Sequence, residues 1–136
     1  MAQARRIRDT VRFLRSALAG EKVTGEYETF SVSKFRLARA ADPVPSIMLA
    51  ALRPGMLRLA AEETDGASTN WLAASGVPKV HEVVGPDFRV SHRGRGGRVE
   101  SCREQVRSYV DNGLTTPVLP TGGDVFEQVR GLAPPR

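Results

Sequence analysis

The feature that most constrains the fold is the segment of residues 44 to 72, where an apolar run, a helical pattern and another apolar run follow one another. The run IMLAAL, residues 47 to 52, is apolar throughout and forms the C-terminal part of a predicted strand over 44 to 52. A short continuous apolar run is typical of a strand buried on both faces, as in a parallel sheet. Pro54 suits the first position of a helix. With the next strand at 67 to 72, the segment predicts a strand–helix–strand unit, whose crossover is right-handed.

Helical and extended patterns alternate along the rest of the chain. Apart from the helix after Pro54, helical spacing and end signals predict helices over residues 4–19, 77–84, 102–110 and 125–132, the last with Asp124 as N-cap. Further strands are predicted from Phe88 and over 115–120, and Asp65-Gly66 is predicted as a turn. Residues 91–98, SHRGRGGR, hold three glycines and three arginines and predict a loop. This alternation, with about four strands and five helices, indicates α/β architecture.

Length and composition limit the class of protein. The chain has 136 residues, 40% hydrophobic and 26% charged, which suits a single globular domain. No apolar run reaches the roughly 18 residues of a membrane span. The N-terminus is basic and lacks the apolar stretch of a secretory signal, so we expect a cytoplasmic protein. The single cysteine, Cys102, excludes an internal disulfide and predicts a buried free thiol.

The net charge of +5 comes mainly from arginine. A basic balance can indicate an anionic partner such as nucleic acid, phosphate or an acidic cofactor. Coding bias in a chain rich in Arg, Ala, Gly and Pro is the alternative interpretation, and we favour it. The RGRGGR stretch at 93–98 is typical of binding to single-stranded RNA. It is one short copy without interleaved aromatic residues, so nucleic-acid binding is the least favoured function.

The turn Leu52-Arg53-Pro54-Gly55 is the first candidate site, because it joins a predicted strand to a predicted helix. Barrel enzymes bind ligands at the carboxyl ends of their strands. A helix N-terminus offers free N–H groups and the positive end of a dipole, which suit a phosphate. Arg53 adds a positive charge, and Gly55 allows close approach of a ligand. The alternative is an ordinary turn with a helix-starting proline.

Thr69 and Asn70 are the second candidate site, because they follow the next predicted strand. Their side chains could contact phosphate, or they could simply cap the strand end. Trp71 could line the pocket mouth or serve packing. His81 and His92 are eleven residues apart without a cysteine or carboxylate at metal spacing, so we expect no metal site. Glutamates 62 and 63 are predicted to face solvent. No Ser–His–Asp order, P-loop or paired-carboxylate arrangement can be identified, and no residue is assigned as catalytic.

The segment VPSIMLAALRPGMLRLAAEETDGASTNWL, residues 44–72, resembles the luciferase-like monooxygenase superfamily, and most of all its branch that uses the deazaflavin coenzyme F-420. In that branch a strand ending in Ala-Ala, a Gly/Pro turn, a helix with Leu-Ala-(Gly/Ala)-Glu, an Asp-Gly pair and another strand follow in this order. Residues 18–32 resemble the segment just upstream, and residues 100–134 resemble the closing helix, strand and helix of the family. The resemblance thus covers most of the chain.

The resemblance implies a partial (β/α) TIM barrel, of which residues 1–136 form one domain, the C-terminal half of a barrel that is not closed. In the family the turn that matches residues 52–55 touches the cofactor near its ring and phosphate. We therefore predict coenzyme F-420, or alternatively FMN, as the cofactor, with these contacts: Ala51, Leu52, Arg53, Pro54, Gly55, Thr69 and Asn70. The family's N-terminal half has no counterpart here, and the joint at 91–98 replaces a long segment.

Three functions remain open on these grounds. The first is a flavin- or deazaflavin-dependent oxidoreductase that moves hydride between the cofactor ring and a small molecule, with little activity as an isolated chain. The second is an inactive remnant, or a subunit that completes a barrel with another chain or with further copies of itself. The third is a small basic nucleic-acid-binding protein, which would bind in a salt-sensitive way. The substrate is not indicated.

Overall fold

A computed structural model describes residues 2–94, 98–119 and 124–133 of the chain. The elements in chain order are α1 (Ala2–Leu18), β1 (Val23–Glu26), β2 (Ser31–Phe35), β3 (Met48–Ala50), α2 (Pro54–Glu63), β4 (Gly66–Thr69), a 3₁₀ turn (Ala74–Gly76), α3 (Val77–Val84), β5 (Arg89–Arg93), α4 (Val99–Asp111), β6 (Thr116–Val118) and α5 (Val125–Leu132). All five predicted helices are confirmed. Asp124 caps α5 as predicted, since its carboxylate accepts hydrogen bonds from the N–H groups of Phe126 and Glu127.

Four strands form one parallel sheet in the order β3-β4-β5-β6. A helix lies between each strand and the next, so the predicted α/β architecture is confirmed. Strands β1 and β2 form a separate antiparallel hairpin. In the described part of the chain the sheet keeps two open edges, β3 and β6, and does not close into a barrel. This arrangement is that of a partial (β/α) barrel.

The hydrophobic core lies on the helix side of this sheet. Ala67 of β4 and Val90 of β5 are fully buried there, against Leu57 of α2 and Val77 of α3. Because side chains alternate between the two faces of a strand, every second residue of each strand meets the helices. Burial of such side chains is the main term that holds the helices on the sheet. Cys102 of α4 is buried and free, as expected.

Helix α1 docks on α2 through its arginines. Arg12 makes a bidentate pair with Glu63. Arg8 forms an ion pair with the same carboxylate and donates a hydrogen bond to Glu62. Arg15 pairs with Asp65 and also donates to the backbone carbonyl of Glu63. The positive charge of α1 is therefore largely matched by acidic groups within the chain, which agrees with the interpretation that needs no anionic partner.

The prediction that both glutamates at the end of α2 face solvent is wrong for Glu63. Its side chain is 15% exposed, while that of Glu62 is 57% exposed. The hydrogen bond from Arg12 is the main cause that lowers the pKa of the Glu63 carboxyl. The arginines that cover it lie about 50 positions earlier in the chain, as the 51-residue separation of Arg12 from Glu63 illustrates.

The first strand of the sheet is shorter and less buried than predicted. It spans Met48–Ala50 rather than 44–52, Ala50 is exposed and Leu52 is 49% exposed. The strand lies at an edge of the sheet, so it has a paired neighbour on one side only, and none of its three residues is fully buried. The prediction of burial on both faces is therefore wrong. Asp65 fixes the start of the strand, because its carboxylate accepts from the N–H of Ile47 and that bond lowers the pKa of the Asp65 carboxyl.

Strand β5 continues into the segment that was predicted as a loop. Ser91, His92 and Arg93 belong to the strand, and the first two are buried. The loop prediction is therefore wrong for these three residues, because pairing with β4 and β6 satisfies their backbone whatever their side chains are. Residues 95–97, in the rest of the predicted joint, lie outside the described residues.

Candidate functional site

The carboxyl ends of the parallel strands bring the predicted site residues to one edge of the sheet. Arg53 follows β3 and Asn70 follows β4, while Arg93 ends β5. Backbone hydrogen bonding to β4 continues one residue beyond the end of β3, since the N–H of Ala51 donates to the carbonyl of Ser68 at 3.0 Å. Ligands of open parallel sheets bind beyond this edge.

The turn after β3 leaves its polar groups accessible. Pro54 is the first residue of α2 as predicted, and residues 52–55 are exposed. The guanidinium of Arg53 has no hydrogen bond or ion pair with the residues that the structure describes, unlike Arg12 and Arg15 of α1. No atom lies within 4 Å of the place where a side chain at Gly55 would begin. A cation and a helix N-terminus therefore stand side by side without competing partners, which suits an anionic ligand.

The two polar residues at the end of β4, Thr69 and Asn70, lie in different environments, one in the core and one at the surface. Thr69 is fully buried, and its hydroxyl donates to the backbone carbonyl of Ser91 at 3.1 Å. Asn70, the next residue, is exposed. This division follows from the alternation of side chains along a strand. Only Asn70 of the two has a side chain that an incoming ligand can reach directly.

A cavity of about 770 Å³ opens at this edge, on the helix side of the sheet. Its walls are residues 70–74 after β4, residues 92–94 at the end of β5, and Gln105 and Tyr109 of α4. Trp71 belongs to this lining and is 88% exposed, so it stands at the mouth of the cavity and is not a packing residue. It also has a φ of 57°, a conformation that is uncommon for a bulky residue and that clusters at binding sites.

His92 is the polar side chain buried deepest in the wall of the cavity, with 4% of its surface exposed. Its Nδ1 lies 3.1 Å from the carbonyl oxygen of Thr69, and its ring stacks on that of Tyr109 with centroids 4.5 Å apart. The Tyr109 hydroxyl in turn donates to the carbonyl of Leu72. Burial lowers the pKa of His92, and the bond to Thr69 opposes this only in part. The imidazole is therefore neutral near pH 7 and held in one orientation.

Sequence reasoning considered His92 only as a metal ligand and missed this role. The signal that could have found it is the alternation of Phe88, Val90 and His92, which places all three on one face of a strand. In the described part of the chain, no group of three or more His, Cys, Asp or Glu residues could hold a metal ion. No described helix is long and apolar enough to cross a membrane.

The stability of the fold should fall as the pH is lowered from neutrality. Below pH 6.5, the ordinary pKa of histidine, His92 is protonated in the unfolded chain. In the folded chain it is protonated only at a lower pH. Acid then favours unfolding by at most about 1.4 kcal/mol per pH unit. The carboxyls of Glu63 and Asp65, whose pKa values are also lowered, contribute only below about pH 4.5.

Urea unfolding at a series of pH values from about 7 to 5 measures this slope. The His92→Gln chain should lose it. The matched control is His81→Gln, because His81 is the other histidine of the chain. Its ring nitrogens lie 2.9 Å and 3.0 Å from the carbonyl oxygens of Gly85 and Gly113. Equal slopes in the two variants would contradict the assignment to His92.

Comparison with known proteins identifies what this arrangement is similar to. The family model of the luciferase-like monooxygenases matches residues 2–95. Among solved structures, an F-420-dependent secondary alcohol dehydrogenase in complex with an F-420–acetone adduct has a TM-score of 0.67 and 14% sequence identity. The match covers 91% of this chain and 60% of that one, so the chain spans about three fifths of the dehydrogenase. None of the curated proteins matches the chain in sequence.

Proposed function

The chain belongs to the luciferase-like monooxygenase family of oxidoreductases, and from this premise we propose that it forms the cofactor-holding part of an oxidoreductase that uses coenzyme F-420. The observation that carries the proposal is the unpartnered Arg53 beside the N-terminus of α2, at the carboxyl edge of the sheet. The dehydrogenase with the similar fold was solved with an F-420 adduct, which favours F-420 over FMN. FMN remains the alternative, because it too carries a phosphate.

The residues at the turn fit a phosphate-bearing cofactor. Pro54 has no N–H, and the N–H groups of Met56 and Leu57 both donate to the carbonyl of Arg53. The free backbone donor of the first turn of α2 is therefore the N–H of Gly55, next to the charge of Arg53. Gly55 has no side chain that would block the approach to this donor. Asn70 at the end of β4 adds an amide that can donate or accept. The cofactor ring would supply the hydride chemistry, and the part of this chain is to bind and orient it.

The chain alone should have little turnover. Among the described residues at the Arg53 turn, no histidine or carboxylate lies within the turn itself to take up or supply a proton. Acid–base groups would then have to come from outside this turn. A subunit that completes a barrel with a second chain is the alternative function. The open edges of β3 and β6, with Ala50 exposed, favour it.

A fluorescence titration of the purified chain with F-420, with FMN in parallel, tests the proposal. We expect saturable binding of F-420 that Arg53→Ala weakens about tenfold to a hundredfold, because it removes a charge-assisted contact. Gly55→Ala should also weaken binding without harming the fold, since its added methyl group meets no protein atom. Arg58→Ala is the matched control, as an exposed arginine of the same helix.

Binding of neither cofactor, by a chain that circular dichroism shows to be folded, would refute the proposal. Binding that is equally strong in the Arg53→Ala and Arg58→Ala chains would place the ligand elsewhere. If binding is seen only after a second barrel chain is added, the barrel-completing function would be the better description.

A further inference from the structure

The cavity on the helix side of the sheet edge has a chemistry of its own, separate from the Arg53 turn. We propose that it binds a small ring compound that bears a hydroxyl group, and that Nε2 of His92 accepts the hydrogen bond of that hydroxyl. Arg53 does not line this cavity, although Asn70 does. The inference therefore stands whether or not the chain binds F-420.

The tautomer of His92 follows from its partners. The backbone carbonyl of Thr69, 3.1 Å from Nδ1, can only accept, so Nδ1 carries the proton. The hydroxyl of Thr69 lies 3.3 Å from the same nitrogen and donates its proton to the backbone carbonyl of Ser91. It can therefore present only a lone pair to Nδ1. In a neutral imidazole the other nitrogen, Nε2, is then a bare acceptor.

This acceptor faces a cavity and has no partner of its own. No residue in the described ranges donates a hydrogen bond to Nε2, and His92, which is 4% exposed, lines the cavity. Arg8 Nε is the only enclosed side-chain nitrogen or oxygen without a hydrogen-bond partner among the described residues, so Nε2 is open to the cavity. A donor that enters the cavity, from water or from a ligand, can therefore bond Nε2.

The ring is held still before any ligand arrives. Tyr109 stacks on it with an interplanar angle of 23°, and the Tyr109 hydroxyl is tied to the carbonyl of Leu72. The hydrogen bond from Nδ1 to the carbonyl of Thr69 opposes rotation of the imidazole about its Cβ–Cγ bond. A preorganised acceptor loses little freedom when it binds, which is how binding sites gain affinity and selectivity.

The remaining walls define the class of ligand. Asn70, Arg93 and Gln105 add polar side chains to the walls. The other walls, Leu72, Ala73, Ala74 and the Tyr109 ring, are apolar or aromatic, and Trp71 stands at the mouth. These surfaces suit a flat or cyclic hydrocarbon body. Because the neutral Nε2 can accept a hydrogen bond, the hydroxyl of a phenol or of a cyclic alcohol is the group that matches it.

The test uses a matched pair of probes, 4-ethylphenol and its methyl ether 4-ethylanisole, followed by NMR. The chain has two histidines, so the ring signals of His92 and His81 can be told apart with one variant. We expect 4-ethylphenol to shift the His92 signals saturably, to leave those of His81 in place, and to bind at least about tenfold more tightly than the ether. Acid should weaken phenol binding, since protonated Nε2 no longer accepts.

The variant His92→Phe keeps a ring that can stack on Tyr109 and removes the acceptor. It should bind the phenol and the ether with equal affinity. If this variant fails to fold, the comparison of the phenol with the ether on the natural chain still tests whether Nε2 accepts a hydrogen bond from the ligand. His92 signals that do not move, or equal affinities for phenol and ether in the natural chain, would overturn the proposal.

Discussion

Replacement of Gly66 by valine should lower the free energy of unfolding by about 3 kcal/mol, the upper end of the cost of an overpacked core. A Cβ at this position would lie 2.5 Å from Sδ of Met48 and 2.8 Å from the carbonyl oxygen of Arg89. The methionine side chain can move aside. The carbonyl cannot, because Arg89 is paired beside Gly66 in the sheet, and moving it would separate β4 from β5. That loss is a large share of the stability of a domain of this size, about 5 to 15 kcal/mol.

Urea unfolding followed by far-UV circular dichroism measures the effect. The matched control is Gly25→Val, at a strand glycine of β1 where nothing lies within 4 Å of the added atom. The control should have unchanged stability or gain slightly, because valine suits a strand better than glycine. Equal destabilisation by the two substitutions would show that loss of glycine itself, and not the contact with β5, is the cause.

Replacement of Leu57 by alanine should cost about 2 to 5 kcal/mol, the range for removing a large buried side chain. Leu57 is 3% exposed and belongs to the core between α2 and the sheet. Its N–H also bonds the carbonyl of Arg53 at 3.0 Å, so it belongs to the first turn of the helix that presents the candidate cofactor site. The cavity left by the lost atoms adds to the lost burial.

The control for this prediction is Leu52→Ala in the turn before α2. Leu52 is 49% exposed, so its truncation should change the free energy of unfolding by no more than about 0.5 kcal/mol. Thermal or urea unfolding of the two variants side by side gives the comparison. A loss at Leu52 as large as that at Leu57 would mean that the turn is packed more tightly than its exposure indicates.

The candidate site was predictable in part. The turn at residues 52–55 could be located because a proline after an apolar run is a local signal for a helix start, and the structure starts α2 at Pro54. The assignment of Asp65-Gly66 to a turn was wrong for Gly66, which is the first residue of β4 and has no positive φ. Glycine is needed there because of the neighbouring strand, a contact between residues 23 positions apart.

The cavity could not be predicted, although the alternation of Phe88, Val90 and His92 indicates that these three residues share one face of a strand. A histidine followed by an Arg/Gly-rich stretch resembles a loop when only its neighbours in sequence are considered. Its burial comes from Thr69 and Tyr109, which lie 23 positions before and 17 positions after it and meet it only because β4, β5 and α4 pack together. Alternation along β4 predicts that Thr69 and Asn70 lie on opposite sides, but only the packed helices decide that the side of Thr69 is the buried one.

The sequence by itself determined the helices, their alternation with strands, and the family, because each rests on signals that span a few residues or on one continuous segment of about thirty. Proline and glycine restrict the backbone where they stand, and apolar periods report which face of an element is buried. Only the tertiary structure decided which charges are paired, which polar groups are buried and where a cavity remains. These depend on contacts between distant residues, as between Arg12 and Glu63, 51 positions apart, and on the way side chains fill the space between packed layers.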